Sequence, residues 1–311
     1  MPVSLLTDDT PFYIVLNAAS GSGDAGDARA QMADILNAAG RRHEFLFTKN
    51  PSQLPEFARR AAEAAIRNDG AVIAAGGDGT INAVAQAALP TGRPFGIVPQ
   101  GTFNYSSRAH SIPLDTADAV HSLLRARLKP IQIGLVNERV FLVNASLGLY
   151  PQILRDREHY KQQYGRKRVI AIWSALATLA RGYRQLVLEI EHDGEREVVR
   201  TPTLFIGNNP LQLEQVGLPE AQDVQRRRLA GVIVRPVGPA TLLWLGMRGA
   251  LGQLGAEDKV RDFAFSRMTV HPRALGAKGV RVATDGEVAW MRPPLHFSVA
   301  PQPLMLMVPE R

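Results

Sequence analysis

The stretch Ala74-Ala75-Gly76-Gly77-Asp78-Gly79-Thr80-Ile81-Asn82 is the most informative part of this sequence. A short apolar run, Ala71 to Ala75, ends here in three glycines around a carboxylate, a pattern typical of a strand followed by a helix. Glycine has no Cβ, so these glycines can take positive φ and let backbone N–H groups approach a bulky anion. The run from Thr80 to Leu89 predicts a helix whose first turn carries free N–H groups and the positive end of the helix dipole. These features predict a phosphate-binding site, with an ordinary strand-to-helix turn as the alternative.

The composition is that of a globular protein. The 311 residues are 45% apolar and 21% charged, a length that suits one large domain or two ordinary ones, and we favour two. No cysteine occurs, which excludes disulfides and thiolate metal sites and suits a reducing cytoplasm. The seven histidines are scattered, and none has the i, i+4 spacing of a helical zinc site.

The distribution of charged and apolar residues argues against secretion and against a membrane-spanning helix. Asp8 and Asp9 stand where a signal peptide would carry its apolar core, and the longest strongly apolar run, Val169 to Ala180, is too short to cross a bilayer. The net charge of +7 favours anionic partners, namely a nucleotide, a nucleic acid or the acidic face of a membrane.

Strands and helices alternate through the first part of the chain. Short apolar runs predict the strands, and apolar residues at helical spacing predict the helices. This alternation predicts an open parallel sheet covered on both faces, in which ligands bind at the carboxyl ends of the strands. The predicted strands are Phe12 to Asn17, Glu44 to Thr48, Ala71 to Ala75 and Phe95 to Pro99, and the predicted helices are Asp24 to Ala39, Leu54 to Ile66, Thr80 to Leu89 and Thr116 to Leu128.

Three small, polar, glycine-bearing loops are expected to meet at that edge of the sheet. They are Asn17-Ala18-Ala19-Ser20-Gly21-Ser22-Gly23, the glycine-rich stretch quoted above, and Pro99-Gln100-Gly101-Thr102-Phe103-Asn104. The segment from Gly21 to Gly26 also matches the dinucleotide pattern G-x-G-x-x-G. In the dinucleotide fold, however, the first glycine follows the strand directly, whereas three residues separate Asn17 from Gly21 here. We therefore do not predict a dehydrogenase, and the sequence contains no Walker A motif.

After Lys129-Pro130 the alternation stops, and pairs of strands predict a β-sandwich interrupted by helices at Tyr150 to Arg184 and Pro239 to Gly252. The first of these helices carries six basic residues between Arg155 and Arg168, ahead of the apolar run Val169 to Trp173. Such a segment suits a bilayer surface, with a solvated arginine-rich helix as the alternative. The predicted strands are Ile131 to Val136, Val140 to Leu147, Gln185 to Glu191, Glu195 to Ile206, Gly231 to Val237, Phe263 to Val270 and Val280 to Trp290, the last with a hairpin turn at Thr284-Asp285-Gly286-Glu287.

Together these motifs resemble the diacylglycerol kinase catalytic family, which includes sphingosine, ceramide and bacterial lipid kinases. The family signature is matched by Gly76-Gly77-Asp78-Gly79-Thr80. Support comes from Asn17 to Gly21 for the family's N-P-x-S-G, Gly101 to Asn104 for its G-T-x-N, and Asp285 to Glu287 for its D-G-E. The block from Asn144 to Pro151 is similar to the S-L-G-L-Y-P block of a bacterial subgroup, so the resemblance runs nearly end to end.

The resemblance implies an ATP-binding α/β domain at 1–129, completed by a C-terminal return at 300–311, and a β-sandwich domain at 130–299 that binds the lipid substrate. It implies ATP and Mg²⁺ as cofactors and a lipid hydroxyl as the phosphoryl acceptor. By resemblance, Glu287 is the expected base, Asp78 orients the nucleotide and metal, and Asp285 and Tyr105 lie at the substrate. The expected nucleotide-binding residues are Asn17, Ser20, Gly21, Thr48, Gly76, Gly77, Asp78, Gly79, Thr80, Asn82, Gly101, Thr102 and Asn104.

Three features depart from the family pattern. Tyr105 follows Asn104 where the family has Asp or, in the subgroup, His. Gln132 replaces the aspartate that begins the sandwich domain. The stretch Arg226 to Gly231 replaces a loop in which the family often has an Asp-Gly that holds a regulatory magnesium ion. These changes bear on metal dependence, and no metal-ligating residue is assigned.

Two alternatives stay open beside lipid phosphorylation. NAD kinases and phosphofructokinases share the G-G-D-G core, so the chain could be a small-molecule kinase, and the missing acidic groups also suit a nucleotide- or lipid-binding protein without turnover. The expected partners are a lipid substrate and an anionic membrane surface, without nucleic acid, and a homodimer is left open. The expected location is the cytoplasm, peripheral at the inner membrane face.

Overall fold

The computed structural model describes residues 6–17, 25–149, 151–152, 185–218, 224, 226–273 and 279–310. The predicted nucleotide-binding residues Ser20 and Gly21 and the basic segment from Arg155 to Arg184 lie outside these residues. The chain divides into two compact units: unit 1 is Met1–Ile133 with Ala300–Arg311, and unit 2 is Gly134–Val299. Within the described ranges, no helix is both long enough and apolar enough to span a membrane.

The elements alternate between helix and strand in unit 1 and are mostly strands in unit 2. The helices are α1 (Ala25–Ala38), α2 (Leu54–Arg67), α3 (Asp78–Ala88), α4 (Tyr105–Ala109), α5 (Thr116–Leu124), α6 (Pro210–Gln215) and α7 (Pro239–Ala250). The strands of unit 1 and the first strands of unit 2 are β1 (Phe12–Asn17), β2 (His43–Thr48), β3 (Ala71–Gly76), β4 (Phe95–Pro99), β5 (Arg127–Ile131), β6 (Gly134–Val136), β7 (Arg139–Phe141), β8 (Asn144–Gly148) and β9 (Leu186–His192). The remaining strands are β10 (Glu195–Thr201), β11 (Thr203–Gly207), β12 (Leu229–Val234), β13 (Val260–Phe265), β14 (Arg267–Arg273), β15 (Val280–Thr284), β16 (Glu287–Met291), β17 (Leu295–Val299) and β18 (Leu304–Val308).

Unit 1 is built on one sheet with the strand order β2-β1-β3-β4-β18-β5. Strands β1 to β4 and β18 pair in parallel, and β5 pairs antiparallel with β18. Every residue of β1, β3 and β4 is buried, as expected for parallel strands covered on both faces. Helices α1 and α5 contact each other, and so do α2 and α3. The predicted α/β architecture is therefore confirmed.

Unit 2 consists of two antiparallel six-stranded sheets that share one core. The β9 sheet has the order β10-β9-β14-β17-β6-β7, and the β8 sheet has the order β13-β12-β11-β8-β15-β16. Leu188 and Phe297 from the β9 sheet and Leu147, Leu204 and Phe265 from the β8 sheet lie in the same buried cluster. This arrangement agrees with the predicted β-sandwich.

The chain crosses between these two sheets within three stretches that the sequence predicted as single strands. The crossings lie at Leu142-Val143 between β7 and β8, at Pro202 between β10 and β11, and at Ser266 between β13 and β14. Pro202 has no N–H to give to a ladder, so it ends β10. Because each crossing takes only one or two residues, the apolar alternation continues across it. The single strands predicted at Val140 to Leu147, Glu195 to Ile206 and Phe263 to Val270 were therefore wrong.

The boundary between the two units falls between Ile133 and Gly134. The resemblance predicted a boundary at 129/130. Strand β5 runs through Ile131 and pairs with β18, which keeps residues 130 and 131 in the sheet of unit 1.

Candidate active site

The carboxyl ends of β1, β3 and β4 lie near the amino-terminal end of α3. Asn17 ends β1, and its Nδ2 donates to Thr80 Oγ1 in the first turn of α3 at 3.2 Å. The backbone N–H of Gln100, directly after β4, donates to the carbonyl oxygen of Gly76 at the end of β3 at 2.8 Å. The structure therefore brings the ends of these strands together at one edge of the sheet in unit 1.

The first turn of α3 presents backbone N–H groups at this edge. Gly77 precedes the helix in an extended conformation, with φ −81° and ψ 179°, and has no side chain that could cap those groups. The helix runs from Asp78 to Ala88, so its aligned peptide dipoles place partial positive charge at the same end. Backbone N–H groups at the start of a helix and the positive end of its dipole together favour a bound anion such as a phosphate group.

The glycines of this turn are needed for close approach, and the expectation that they take positive φ was wrong. Neither Gly76 nor Gly77 has positive φ, and Gly79 lies inside α3. A Cβ on Gly76 would lie 2.7 Å from the Thr80 side chain, and a Cβ on Gly101 would lie 2.9 Å from Gly77 Cα. A Cβ on Gly77 would meet Gly101 Cα at 3.5 Å, an ordinary contact. Steric crowding by these neighbours thus requires glycine at positions 76 and 101 but not at 77.

Asn104 locks the loop after β4 and ties it to α3. Its side chain accepts from the Gly101 N–H at 3.1 Å and donates to the Gly101 carbonyl oxygen at 2.8 Å. Its own N–H donates to Asp78 Oδ2 at 3.0 Å. Asn104 has φ 50° and ψ 42°, a left-handed conformation that asparagine tolerates better than most residues. Asn104 was predicted to bind nucleotide, and the structure shows the contacts by which it shapes the loop.

The other predicted residues of unit 1 that the structure describes lie at or near the same edge. Thr48 ends β2, and its buried hydroxyl donates to the Asn50 carbonyl oxygen at 2.9 Å and accepts from the Asn50 N–H at 3.1 Å. Asn82 is buried in α3, and Thr102 is exposed in the loop after β4. Tyr105 opens α4, and its ring stacks on that of Phe103 with centroids 5.9 Å apart. Sequence analysis gave no role to Phe103, which is exposed beside the loop.

His110 is a second residue of unit 1 that sequence analysis did not single out. It follows α4, and burial, reinforced by the positive charge of Lys129, lowers its pKa from 6.5 to about 4. The imidazole is therefore neutral at pH 7. No hydrogen-bonding partner reaches its Nδ1 or the fully buried hydroxyl of Ser107 among the described residues.

Asp285 belongs to a two-residue hairpin turn between β15 and β16 in unit 2. Thr284 pairs with Glu287 across the turn, while Asp285 and Gly286 have φ of 49° and 90°. Asp285 Oδ2 accepts from the N–H of Leu142 at 2.7 Å. Its Oδ1 accepts from the N–H groups of Val143 at 2.8 Å and Asn144 at 3.0 Å. The carboxylate therefore holds the segment at which the chain crosses from the β9 sheet to the β8 sheet.

Two further side chains, missed as functional candidates, support the same crossing segment. Asn208 Nδ2 donates to the Leu142 carbonyl oxygen at 2.9 Å, and Asn144 Nδ2 donates to Gln212 Oε1 at 3.0 Å. Asn208 and Asn144 are both buried. The sequence offered a signal for Asn144 only, since it opens the block from Asn144 to Pro151.

Glu287 begins β16 with its side chain exposed to solvent. The turn before it is an ordinary hairpin turn in geometry, as the alternative in the sequence analysis stated. An exposed carboxylate next to a fixed turn can accept a proton, so the geometry is compatible with the expected role of a base.

The described residues form no metal site from protein ligands alone. Among them, no group of three or more His, Asp or Glu side chains could hold a metal ion. A Mg²⁺ ion that binds with a nucleotide needs only one or two carboxylates, because phosphates and water supply the other ligands. Asp78 at the start of α3 fits that need. A protein-only site does not fit at Arg226 to Gly231, where Arg228 donates to the Ala264 carbonyl oxygen and pairs with Asp193 at 3.3 Å.

Fold and site together define a class of protein in which an α/β unit with a glycine-rich strand-to-helix turn is combined with an antiparallel two-sheet unit. The family model described as the diacylglycerol kinase catalytic domain matches residues 11–136. A protein of Pseudomonas aeruginosa (strain UCBPP-PA14) named "Probable lipid kinase YegS-like" is 30% identical over 257 residues, which cover 81% of each chain. The chain belongs to the diacylglycerol kinase catalytic domain family, whose members include lipid kinases, as the sequence motifs predicted.

Other relatives match over shorter regions. The diacylglycerol kinase of Bacillus subtilis (strain 168) is 35% identical over 139 residues, 43% of this chain and 45% of that protein. An uncharacterized protein of Synechocystis sp. is 33% identical over 162 residues, 50% of this chain and 36% of that protein. In these matches the chain spans less than half of the length of either curated relative. A crystal structure of a diacylglycerol kinase from Bacillus anthracis str. Sterne has a TM-score of 0.68 at 17% identity, over 96% of this chain and 97% of that chain, which supports the fold.

Proposed function

We propose that this chain is an ATP-dependent lipid kinase, which transfers the γ-phosphoryl group of ATP to a hydroxyl of a lipid such as diacylglycerol, a ceramide or a sphingoid base. The observation that carries the proposal is the amino-terminal end of α3, which follows Gly77 and lies at the edge where three strand ends converge. Membership of a family with named lipid kinases supports the choice of acceptor.

In this proposal the phosphates of ATP bind along the turn that leads into α3. The N–H groups of the turn supply hydrogen bonds, and Thr80 and Thr102 add hydroxyl groups. Asp78 would hold a magnesium ion, which would neutralise phosphate charge. Asn104 contributes by fixing the loop through Gly101 and Asp78. The remaining proposed nucleotide-binding residues are Asn17, Ser20, Gly21, Thr48, Gly76, Gly77, Gly79, Asn82 and Gly101.

The proposed chemistry is one in-line displacement. Glu287 takes the proton of the lipid hydroxyl while the hydroxyl oxygen forms a bond to the γ-phosphorus. The bond between the γ-phosphorus and the bridging oxygen breaks, and ADP leaves with that electron pair. The products are a lipid phosphate monoester and ADP. Tyr105 and Asp285 are proposed on the acceptor side, and Asp285 also fixes the turn that carries Glu287.

A lipid acceptor also bears on where in the cell the protein acts. We propose a cytoplasmic protein that associates peripherally with the inner face of an anionic membrane, since the net charge of +7 favours such a surface. The basic segment between Arg155 and Arg168, which the sequence analysis assigned to this surface, lies outside the described residues.

Labelled ATP offered with Mg²⁺ to a panel of acceptors tests the proposal. The panel contains diacylglycerol, monoacylglycerol, ceramide, sphingosine and NAD, and we expect label in a lipid phosphate. Label in NAD alone would support a small-molecule kinase. Nucleotide binding without any labelled product would instead support a binding protein without turnover.

The variant Glu287→Gln tests the proposed base. The amide keeps the shape of the side chain but cannot accept the proton, so we expect normal folding and nucleotide binding with kcat lower by ~10²–10⁴. Nucleotide affinity by calorimetry and kcat with the preferred lipid are the two measurements. A variant with near-normal kcat would identify Glu287 as a turn residue and make Asp78 the preferred base.

A further inference from the structure

Helix α7 exposes a row of large apolar side chains. Leu243, Trp244, Met247 and Leu251 are 38%, 51%, 58% and 67% exposed, and we call these four residues the α7 patch. They account for four of the ten exposed large apolar side chains among the described residues. Positions 243, 247 and 251 repeat at intervals of four, so they line one side of the helix, while the buried Leu245 lies on the other. A row of this kind is unusual for a surface that faces only water.

The charges around the α7 patch favour an anionic partner. No aspartate or glutamate occurs from Arg235 to Ala256, a stretch that contains two arginines. Arg248 lies over the Trp244 ring at 5.9 Å from its centroid and donates to Glu257 Oε1 at 2.5 Å. Glu257, which directly follows this stretch, therefore balances the charge of Arg248. Apolar side chains with a tryptophan, in a stretch that contains arginine and no acidic residue, are typical of helices that lie in the interface of an anionic bilayer.

We propose that the α7 patch docks this protein onto an anionic bilayer, with α7 lying in the membrane plane and Trp244 at the level of the lipid headgroups. This inference rests on the proposed function, because a lipid acceptor is presented at a bilayer surface. It assigns the attachment to described residues of unit 2, separate from the basic segment between Arg155 and Arg168. Insertion of the four apolar side chains sets the depth, and Arg235 together with the net charge of +7 attracts the protein to anionic lipid.

The fluorescence of Trp244 tests the depth directly. The chain contains three tryptophans, so the variant Trp173→Phe/Trp290→Phe leaves Trp244 as the single reporter. With vesicles of phosphatidylglycerol and phosphatidylcholine, we expect its emission to shift to the blue and to be quenched by brominated acyl chains. Emission that stays unshifted and unquenched while the protein sediments with the vesicles would overturn the proposal.

A matched pair of double variants tests the contribution to binding. Trp244→Ser/Met247→Ser removes two members of the patch, whereas Ile66→Ser/Val198→Ser removes two apolar side chains of similar exposure, 55% and 51%, from other surfaces. In vesicle sedimentation we expect at least a tenfold loss of affinity for the first variant and less than a twofold loss for the second. Equal losses would overturn the proposal. So would unchanged vesicle binding together with conversion of a dimer to a monomer, which would show that a second copy of the chain covers α7.

Sedimentation and quenching need neither ATP nor turnover, so docking and catalysis can fail separately. Vesicle binding that depends on the α7 patch, without any lipid phosphorylation, would reject the proposed function and leave the docking surface in place. Phosphorylation of a water-soluble short-chain diacylglycerol should be unchanged in Trp244→Ser/Met247→Ser, whereas phosphorylation of the same lipid class in vesicles should fall with the affinity. An equal fall with both forms of the lipid would show that the patch acts on the site itself and would overturn the docking role.

Discussion

Gly77 and Gly101 approach each other across the two loops of unit 1, yet the structure requires glycine at only one of them. A Cβ on Gly101 would lie 2.8 Å from Asn104 Oδ1 and 2.9 Å from Gly77 Cα, whereas a Cβ on Gly77 finds its nearest described neighbour at 3.5 Å. Packing therefore explains glycine at position 101, and we propose that glycine at position 77 leaves room for a bound phosphate. Two alanine variants can separate these requirements.

We expect Gly77→Ala to fold with nearly normal stability but to bind ATP at least tenfold more weakly, because its methyl group occupies space that the proposed phosphates need. Gly101→Ala should lose about 1–3 kcal/mol of unfolding free energy, since its methyl group meets backbone atoms that cannot move away cheaply. Calorimetry with ATP and denaturant unfolding measure the two effects. Unchanged ATP affinity in Gly77→Ala would show that ATP does not bind at this turn.

His110 gives a prediction about acid stability. Burial lowers its folded-state pKa to about 4, below the value of 6.5 for an unfolded chain, so the unfolded state binds more protons between these two pH values. The stabilising contribution is fully present above pH 6.5 and is lost as the pH falls towards 4. We expect His110→Gln to show a shallower loss of unfolding free energy over this range than the wild type. Parallel curves for both proteins would contradict this expectation.

The crossing segment between β7 and β8 depends on hydrogen-bond acceptors from a distant turn. Its N–H groups leave one ladder before they join the next, and the buried residues Leu142, Val143 and Asn144 need other acceptors. Asp285 supplies them from a turn that lies 141 to 143 positions further along the chain. The turn between β15 and β16 therefore stabilises the junction of the two sheets as well as its own hairpin.

Asp193 provides a matched control for Asp285. Both residues are followed by glycine in hairpin turns with positive φ, 49° in each case, but the Asp193 carboxylate is paired with the exposed Arg228. Asp285→Ala should lower the unfolding free energy of unit 2 by about 3 kcal/mol or more, because three buried donors lose their acceptor. Asp193→Ala should cost less than about 1 kcal/mol. Equal losses in urea unfolding would mean that only the turn conformation matters.

Sequence patterns predicted most of the strands that stay within one sheet, missed β5 and β17, and failed where the chain changes sheets. The buried runs of β1, β3 and β4 were located almost to the residue, because parallel strands covered on both faces are continuously apolar. The crossings at Leu142-Val143 and Ser266 carry no breaker residue, so periodicity alone could not reveal them. Pro202 does signal the end of β10, because proline cannot donate to a ladder, but the predicted strand ran through it.

The sequence predicted which residues form the candidate site but not which hydrogen bonds they make with one another. The motifs named Asn17, Thr80 and Asn104, and the structure shows that these side chains bond to other members of the same set or to the loop itself. The bonds of Asn17 to Thr80 and of Asn104 to Asp78 join residues far apart in sequence, so no local pattern could predict them. His110 was not predicted as a notable residue because its low pKa results from its surroundings in the folded unit, which the sequence does not show.

At the scale of the whole molecule, unit 1 depends on a strand that is distant in sequence. Strand β18 lies between β4 and β5, and its residue Leu306 is fully buried. Leu306→Asp should therefore unfold unit 1 and abolish ATP binding, because an unpaired charge in that position is costly. Amides of unit 2 should keep their protection in hydrogen exchange. The exposed substitution Val198→Asp should leave both units protected, and joint loss of protection in Leu306→Asp would show that the units do not fold separately.

The position of β18 in the sheet also determines the order in which the two units can be completed during translation. Residues 134–299 must be made after β5 and before β18. At roughly 5–20 residues per second, this interval lasts about 10–30 seconds. During that time the nascent sheet has β4 exposed as an unpaired edge, which is prone to pair with other chains. Unit 2 can thus mature first, and unit 1, which carries the Gly76-Gly77-Asp78-Gly79 turn, gains its final shape only when the last strand emerges.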